Sequence, residues 1–350
     1  MSEGRKVRLG LVGCGKFAGV IATSVKASTK AELITCFDTL PERRAAYSKT
    51  YGCDQEERFE DLISREDIEG VLLVSPNAIH REQAEMAAER GKHVYVEKPI
   101  ANTLADGKRI IEVCEKAGVV LMVGHYARRI ATIRKAKELV DAGAIGRPVT
   151  VESSVSRDSG FQLTPAQFRW RGDDSGCPGG PILSMGIHHV DTLKYLFGPI
   201  QTVFAFFSKL YLTAEIDDIT AAVCRFKSGT LGYVGSTYVS PKTRWMRIYG
   251  TEANLLWTVH YPVMPYTEYP GGILDIDQRC QLTLFEKGKD PRDIPSTPGM
   301  PYLEEIDEFA HCIRTGDRPE TDGPVALAAL AFIRAAIESA RTGKAVELEI

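Results

Sequence analysis

The chain lacks the marks of several functional classes. No apolar run approaches the roughly 18–20 residues that a membrane-crossing helix needs. The opening MSEGRKVRLGLVGCG is broken by glycines too early to read as a secretory leader. The eight cysteines, at 14, 36, 53, 114, 177, 224, 280 and 312, form no C-x-x-C pair. Such scatter fits buried thiols in a reducing compartment, and it argues against a disulfide framework or a structural zinc. Basic pairs such as Arg43-Arg44 and Arg128-Arg129 stand alone, and the formal net charge is −3. Neither nucleic acid nor an anionic membrane is therefore an expected partner. Repeats, low-complexity segments and disordered linkers are also missing. The expected location is the cytoplasm.

What is present is ordinary for a globular protein: 350 residues, 44% of them apolar and 25% charged. That length accommodates two domains. In the first third, short apolar runs alternate with helical patterns. VRLGLVG (7–13), AELITCFD (31–38), GVLLVS (70–75), HVYVEK (93–98) and VVLMVG (119–124) read as strands, with helices from Lys16 to about Ala27 and from Pro41 onward. Continuous apolar strands separated by helices predict a parallel sheet covered on both faces, so residues 1–125 are expected to form a doubly wound α/β domain. After Gly146 the runs 149–157, 201–210, 218–226, 230–239 and 244–250 follow one another through short turns. They predict a mainly antiparallel α+β domain over residues 126–350, closed by a helix from about Val325 to Arg341.

Gly13-Cys14-Gly15-Lys16-Phe17-Ala18 is a G-x-G-x-x-A sequence between the first strand and the first helix. Gly13 suits a tight turn, Gly15 allows backbone to approach a pyrophosphate, and Ala18 permits close helix–strand packing. The helix N-terminus offers N–H groups to phosphates. The next strand ends in Asp38, placed to accept from the ribose hydroxyls of a dinucleotide. A carboxylate there favours NAD; Thr39, Arg43 and Arg44 nearby leave NADP possible.

Three further tails meet beyond the carboxyl ends of the strands, where ligands of such sheets bind. They are Ser75-Pro76-Asn77 with His80, Glu97-Lys98-Pro99, and Gly124-His125-Tyr126. With GLVGCGKFA, VSPNAIH, GKHVYVEKPI, GHYARR, GAIGRPV and GGPILSMGIHHVD in order over residues 7–200, the chain resembles the glucose–fructose oxidoreductase/inositol dehydrogenase (Gfo/Idh/MocA) family. The resemblance implies a Rossmann domain plus an open, largely antiparallel sheet, and a homodimer or homotetramer formed through that sheet. It makes Lys98 the residue at the reacting centre, with Pro99 following a cis peptide. Chemistry supports a lysine there: an alcohol that loses hydride also loses its hydroxyl proton, and an amine can take the proton or stabilise the oxyanion. Glu97 is expected near the ribose or nicotinamide. Ser75, Pro76, Asn77 and His80 are expected to line the cofactor cleft, His80 having the alternative of a polar helix-face residue. Tyr126 and Arg128 are candidates for substrate contact, Arg128 alternatively a solvated charge. The loop FRWRGDDSGCPGG (168–180) offers Trp170 to stack on a sugar ring, with Arg169, Arg171, Asp173 and Asp174 beside it.

From about Leu183 the spacing is helical. Ile187, Val190, Leu193 and Phe197 form one stripe; Ser184, His188, Asp191 and Tyr195 form another. Consecutive residues project about 100° apart, so His188 and His189 cannot easily serve one site. No second histidine or cysteine supplies the i, i+4 spacing of a zinc pair, and no metal is expected. The resemblance assigns His188 to proton transfer at the substrate hydroxyl. Many relatives carry an aspartate four residues earlier, where this chain has Ser184; Asp191, Asp173 or Asp174 are candidates for the missing charge. The expected activity is an NAD(P)-dependent dehydrogenase of a sugar, inositol or related polyol. A sugar–sugar oxidoreductase with retained cofactor and a non-catalytic, nucleotide-gated sugar-binding regulator are the alternatives.

Overall fold

A computed structural model of the chain describes residues 4–158, 160, 172, 175–261 and 275–348. They fall into two compact units. The first contains the chain up to Tyr126 and then Met300–Leu327. Its strands are β1 (Val7–Val12), β2 (Ala31–Phe37), β3 (Asp54–Glu56), β4 (Gly70–Leu73), β5 (His93–Glu97) and β6 (Leu121–Gly124), in the spatial order β3-β2-β1-β4-β5-β6. Every pairing is parallel, with Leu9 beside Leu33 and Leu11 beside Leu72. Leu9, Leu11, Val71, Leu72, Leu73, Val94 and Val96 are completely buried, which is why these strands read as unbroken apolar runs. The order reverses between β1 and β4, and the crevice at that point is where such sheets bind ligands.

Helices α1 (Ala18–Ala27), α2 (Pro41–Tyr51), α3 (Phe59–Ser64), α4 (His80–Glu89) and α5 (Leu104–Ala117) connect the strands. Pro41 opens α2 as expected. The Thr103 hydroxyl caps α5 by accepting from Asp106 N.

A single division at 125/126 does not provide for the return of residues 300–327 to the first unit. After β6 and the 3₁₀ turn Tyr126–Arg129 the chain builds the second unit, starting with α6 (Ala131–Asp141). That unit's nine-stranded sheet runs β14-β13-β12-β11-β7-β10-β9-β8-β15. The strands are β7 (Pro148–Ser156), β8 (Ile200–Ser208), β9 (Ile219–Phe226), β10 (Leu231–Thr237), β11 (Thr243–Gly250), β12 (Ala253–Val259), β13 (Cys280–Glu286), β14 (Arg292–Asp293) and β15 (Val346–Glu347). Of its pairings only β7–β10 is parallel among the described residues. Side chains alternate: Val151, Phe226, Val234, Met246, Ile248, Leu255 and Trp257 are buried on one face. The other face leaves Phe206 69%, Val223 52% and Leu231 49% exposed. Helix α7 (Ile187–Phe197) follows a wide π turn, Ile182–Gly186, and buries Ile187, Val190 and Leu193.

The returning segment forms α8 (Pro301–Thr315), a helix not anticipated from the sequence. Proline occupies its first turn, Gly316 ends it at φ 78°, and Tyr302, Ile306, Phe309 and Ala310 make its buried stripe. Tyr302 meets the edge of Phe17 at 5.8 Å and Phe309 meets Tyr95 at 6.0 Å. Burying an aromatic of this size contributes about 1.5–3 kcal/mol. The last helix, α9 (Gly323–Thr342), corrects another expectation: by length and composition it is apolar enough to cross a membrane. Within the fold 56% of that window is buried, as in the core helix of a globular protein. None of the eight cysteines is in a disulfide, and all except Cys280 are buried.

Candidate active site

In the first unit the glycine turn and the end of β2 come together. Gly13 sits at φ 92°, and a Cβ there would lie 2.8 Å from the Val74 carbonyl oxygen and 3.0 Å from Ser75 N. Only glycine fits. Gly15 differs: a Cβ would meet no atom within 4 Å, so nothing in the protein's own packing requires glycine there. The space above it is open to a ligand. Lys16 is exposed, Phe17 half-buried against Tyr302, and Ala18 fully buried at the start of α1. No side chain caps α1, so its first N–H groups remain available to an anion. The Tyr47 hydroxyl donates to the Gly15 carbonyl and steadies the turn from α2.

Asp38 fixes the other side of this cradle. Its Oδ2 accepts from Cys14 N at 2.8 Å and its Oδ1 from Leu40 N at 2.9 Å. Each oxygen retains a second acceptor position for a hydroxyl donor. Arg43 lies 3.8 Å from Oδ2, and Arg44 donates to the Asp38 carbonyl at 3.2 Å. The residues present thus fit a dinucleotide: open space over Gly15, an uncapped helix start and an oriented carboxylate.

Beyond β4, Ser75 Oγ donates to Gln83 Oε1, Pro76 is half-buried and Asn77 is buried in a 3₁₀ turn. His80 corrects an expectation. It is wholly buried, with Nε2 3.0 Å from the Ser75 carbonyl and Nδ1 3.1 Å from the Pro99 carbonyl. Burial pushes its pKa below the ordinary value. It braces the tails of β4 and β5 from within and has no surface to offer a cofactor. The Lys98–Pro99 bond is cis.

Glu97 is 6% exposed and burial pushes its pKa up to about 7, against the opposing pull of Lys98. Lys98 is half-buried at the strand end. The Glu97 partner Tyr95, and Glu305, which shares the Tyr95 hydroxyl, escaped sequence reasoning. Tyr95 stands two residues earlier on the same strand face, a placement that period-two reading could have found. Glu305 lies on α8, unrecognised as a helix. Tyr126 is 3% exposed and stacks on Tyr302 with centroids 4.3 Å apart. Its ring therefore packs within the first unit and leaves little surface for a substrate.

In the second unit Arg128 is likewise corrected. Its guanidinium is buried and binds Asp191 through both Nη2–Oδ1 at 2.5 Å and Nε–Oδ2 at 3.0 Å, above the Tyr195 ring. The pair makes Arg128 a buried, oriented cation rather than the solvated charge that was its alternative. Ser184 shares a hydrogen bond with the Tyr238 hydroxyl. His188, half-buried on α7, accepts at its backbone carbonyl from Thr192 Oγ1 at 2.8 Å. His189 points elsewhere: 3% exposed, it accepts from Arg244 Nε at 3.3 Å and meets the edge of Trp257. Burial holds its pKa well below the ordinary histidine value. Trp170, Arg169, Arg171, Asp173 and Asp174 lie outside the described residues. Among the described residues no group of three or more His, Cys, Asp or Glu could hold a metal ion.

Comparison with known proteins gives two matches to family models. The NAD-binding Rossmann model of the GFO/IDH/MocA oxidoreductases covers residues 7–125, and the model of their C-terminal domain covers residues 133–256. The 1,5-anhydro-D-fructose reductase of Ensifer adhaerens is 27% identical over 346 residues, 98% of each chain. A solved oxidoreductase of Desulfitobacterium hafniense DCB-2, described as NADPH-dependent, is 30% identical with 98% of each chain covered and a TM-score of 0.92. The WlbA dehydrogenase of Bordetella pertussis, crystallised with NADH and UDP-GlcNAcA, is 27% identical with 99% of each chain covered and a TM-score of 0.84.

Proposed function

This chain belongs to the Gfo/Idh/MocA family of oxidoreductases, and from that premise we propose that it moves hydride between a nicotinamide dinucleotide and a secondary alcohol of a sugar, inositol or related polyol. The observation that carries the reading is the cradle in the first unit, where open space over Gly15 adjoins the oriented carboxylate of Asp38. Gly13, Gly15 and the start of α1 hold the phosphates, and Asp38 accepts from the ribose, favouring NAD. Arg43 beside that carboxylate leaves NADP usable.

When bound, the nicotinamide supplies the hydride acceptor. Lys98 is assigned to stabilise the oxygen as it loses its proton, and His188 to take that proton in oxidation and return it in reduction. Ser184 and Tyr238, hydrogen-bonded to each other four residues before His188 and on the strand tail after β10, are the polar groups proposed to attend substrate or imidazole.

A screen of sugars, sugar acids, inositols and glycosides with NAD and NADP, read by nicotinamide absorbance, tests the activity. Lys98→Ala is expected to retain cofactor binding while turnover falls about 10²–10⁴-fold; full turnover would overturn the assignment. Cofactor that co-purifies and never exchanges would favour a sugar–sugar cycle. The exposed row Phe206, Val223 and Leu231 supports a homo-oligomer formed through the second unit's sheet. Phe206→Glu, compared with wild type by light scattering, is expected to lower the assembled mass.

A further inference from the structure

Helix α2 contains no fully buried residue, so apolar packing does little to fix its place. Its hold on the rest of the first unit is polar. Tyr47 and Tyr51 stand four residues apart on one face of the helix, with ring centroids 5.3 Å apart. The Tyr47 hydroxyl donates to the Gly15 carbonyl. The Tyr51 hydroxyl donates to the Gly19 carbonyl at 3.2 Å, with Thr23 Oγ1 3.3 Å away. A Cβ at Gly19 would lie 3.4 Å from the Tyr47 hydroxyl and 3.5 Å from that of Tyr51. Both hydroxyls therefore close over the first turn of α1. The same helix brings Arg43 to 3.8 Å from Asp38 Oδ2 and Arg44 to the Asp38 carbonyl, so it borders both ends of the cradle.

A trans peptide points its carbonyl and its N–H in opposite directions, and the Gly15–Lys16 bond is trans. With the Gly15 carbonyl held on the α2 side, the Lys16 N–H faces away from α2. Among the described residues no acceptor meets the N–H groups of Gly15, Lys16 or Phe17. The two before them are engaged: Gly13 N donates to the Phe37 carbonyl at 2.8 Å, and Cys14 N to Asp38. Asp38 thus pins the turn before its open N–H groups, and Tyr47 pins it among them.

We propose that Tyr47 is a positioning residue for the pyrophosphate of the cofactor: its hydroxyl sets the Gly15–Lys16 peptide so that the Lys16 N–H is aimed at the phosphates. The proposal rests on the reading of this turn as the dinucleotide cradle. A peptide free to flip would turn a carbonyl oxygen toward the phosphates and replace attraction by repulsion. Holding it beforehand removes an ordering cost from binding. Burial, and then the neighbouring Tyr51, push the Tyr47 phenol above its ordinary range, so it remains a donor.

Binding and spectroscopy test this without a substrate. Tyr47→Phe keeps the ring and loses only the donor; its NADH dissociation constant, from fluorescence titration, is expected to rise about fivefold. Tyr51→Phe loosens α2 by one comparable hydrogen bond, made to a carbonyl already inside α1, and is expected to bind NADH within about twofold of wild type. In protein labelled with ¹⁵N-lysine, the Lys16 amide is identified by its loss in Lys16→Arg. Saturation with ADP-ribose is expected to move its proton downfield in wild type and less far in Tyr47→Phe. Wild-type NADH affinity in Tyr47→Phe, an equal loss in Tyr51→Phe, or the same Lys16 shift in wild type and Tyr47→Phe overturns the proposal. Failure of the cradle reading looks different: wild type would not bind NADH, or Gly15→Ala would bind it unchanged, and the proposal would fall with that reading.

Discussion

Two alanine substitutions two residues apart should separate folding from binding in the glycine turn. In Gly13→Ala the new methyl meets the Val74 carbonyl oxygen at 2.8 Å and Ser75 N at 3.0 Å, both backbone atoms that cannot swing aside. The residue must also adopt φ 92°, a region that costs a residue with a side chain of order 1–3 kcal/mol. Overpacking adds about 1–3 kcal/mol. The expected loss is about 2–6 kcal/mol, a large part of the ~5–15 kcal/mol available to a folded domain. In Gly15→Ala the methyl meets no atom within 4 Å, and folding stability should change by less than about 1 kcal/mol. The same methyl fills the space assigned to the pyrophosphate, so NADH affinity should fall at least about tenfold, or 1.4 kcal/mol. Urea unfolding reads the first effect and fluorescence titration with NADH the second. If Gly15→Ala unfolds as readily as Gly13→Ala, the open space is misassigned. If it binds NADH like wild type, the phosphates do not lie there.

Asp191→Ala removes the carboxylate that pairs with the buried Arg128 guanidinium and should cost about 3–5 kcal/mol in urea unfolding. Replacing the pair together, Arg128→Met with Asp191→Leu, should recover most of that loss; a double variant as unstable as the sum of single ones would contradict the burial argument. His189 stays neutral in the fold while the unfolded chain takes up a proton near pH 6.5, so stability should fall as pH drops below that value. The slope is at most about 1.4 kcal/mol per pH unit per histidine, and His189→Gln should flatten it between about pH 6.5 and 5; an unchanged slope would refute the assignment. Asp38→Ser removes the charge facing the ribose while Arg43 and Arg44 stay, so the ratio of NADP to NAD affinity should rise; titration with both cofactors would refute the reading if the ratio held.

The parallel sheet was legible because strands buried on both faces leave a signal in composition alone. β3 was not, since Asp54-Gln55-Glu56 pairs only at an edge and carries no apolar mark. β12 and β13 went unread beside the Pro- and Gly-rich stretch around them. In α8 the stripe Tyr302, Ile306, Phe309, Ala310 was available, but it directly follows the prolines at 291, 295 and 298. At the candidate site, the glycine turn and Asp38 could be placed from spacing because one strand–turn–helix unit contains the geometry. Arg128 and His80 could not. Whether a polar side chain faces ligand or interior depends on partners distant in sequence, here Asp191 for the arginine and two backbone carbonyls for the histidine. The two adjacent histidines are the opposite case: helix geometry alone separates them, and His189 is indeed turned into the core against Arg244 and Trp257.

The return of the chain to the first unit also bears on how the protein is made. Contacts that complete that unit join residues far apart in synthesis: Ser28 with Asp307, Glu69 with Arg314, and Tyr95 with Glu305, separations of 279, 245 and 210 residues. A ribosome that has released residue 125 has delivered all six strands of the parallel sheet and none of α8. Until some two hundred further residues emerge, Tyr95 and Phe17 have no aromatic partner from α8. The nascent half-unit must wait, with apolar surface uncovered, while eight of the nine strands of the second unit's sheet are translated. Chaperone engagement during translation is thus expected to peak before α8 appears, and an isolated 1–125 fragment should aggregate where the full chain does not.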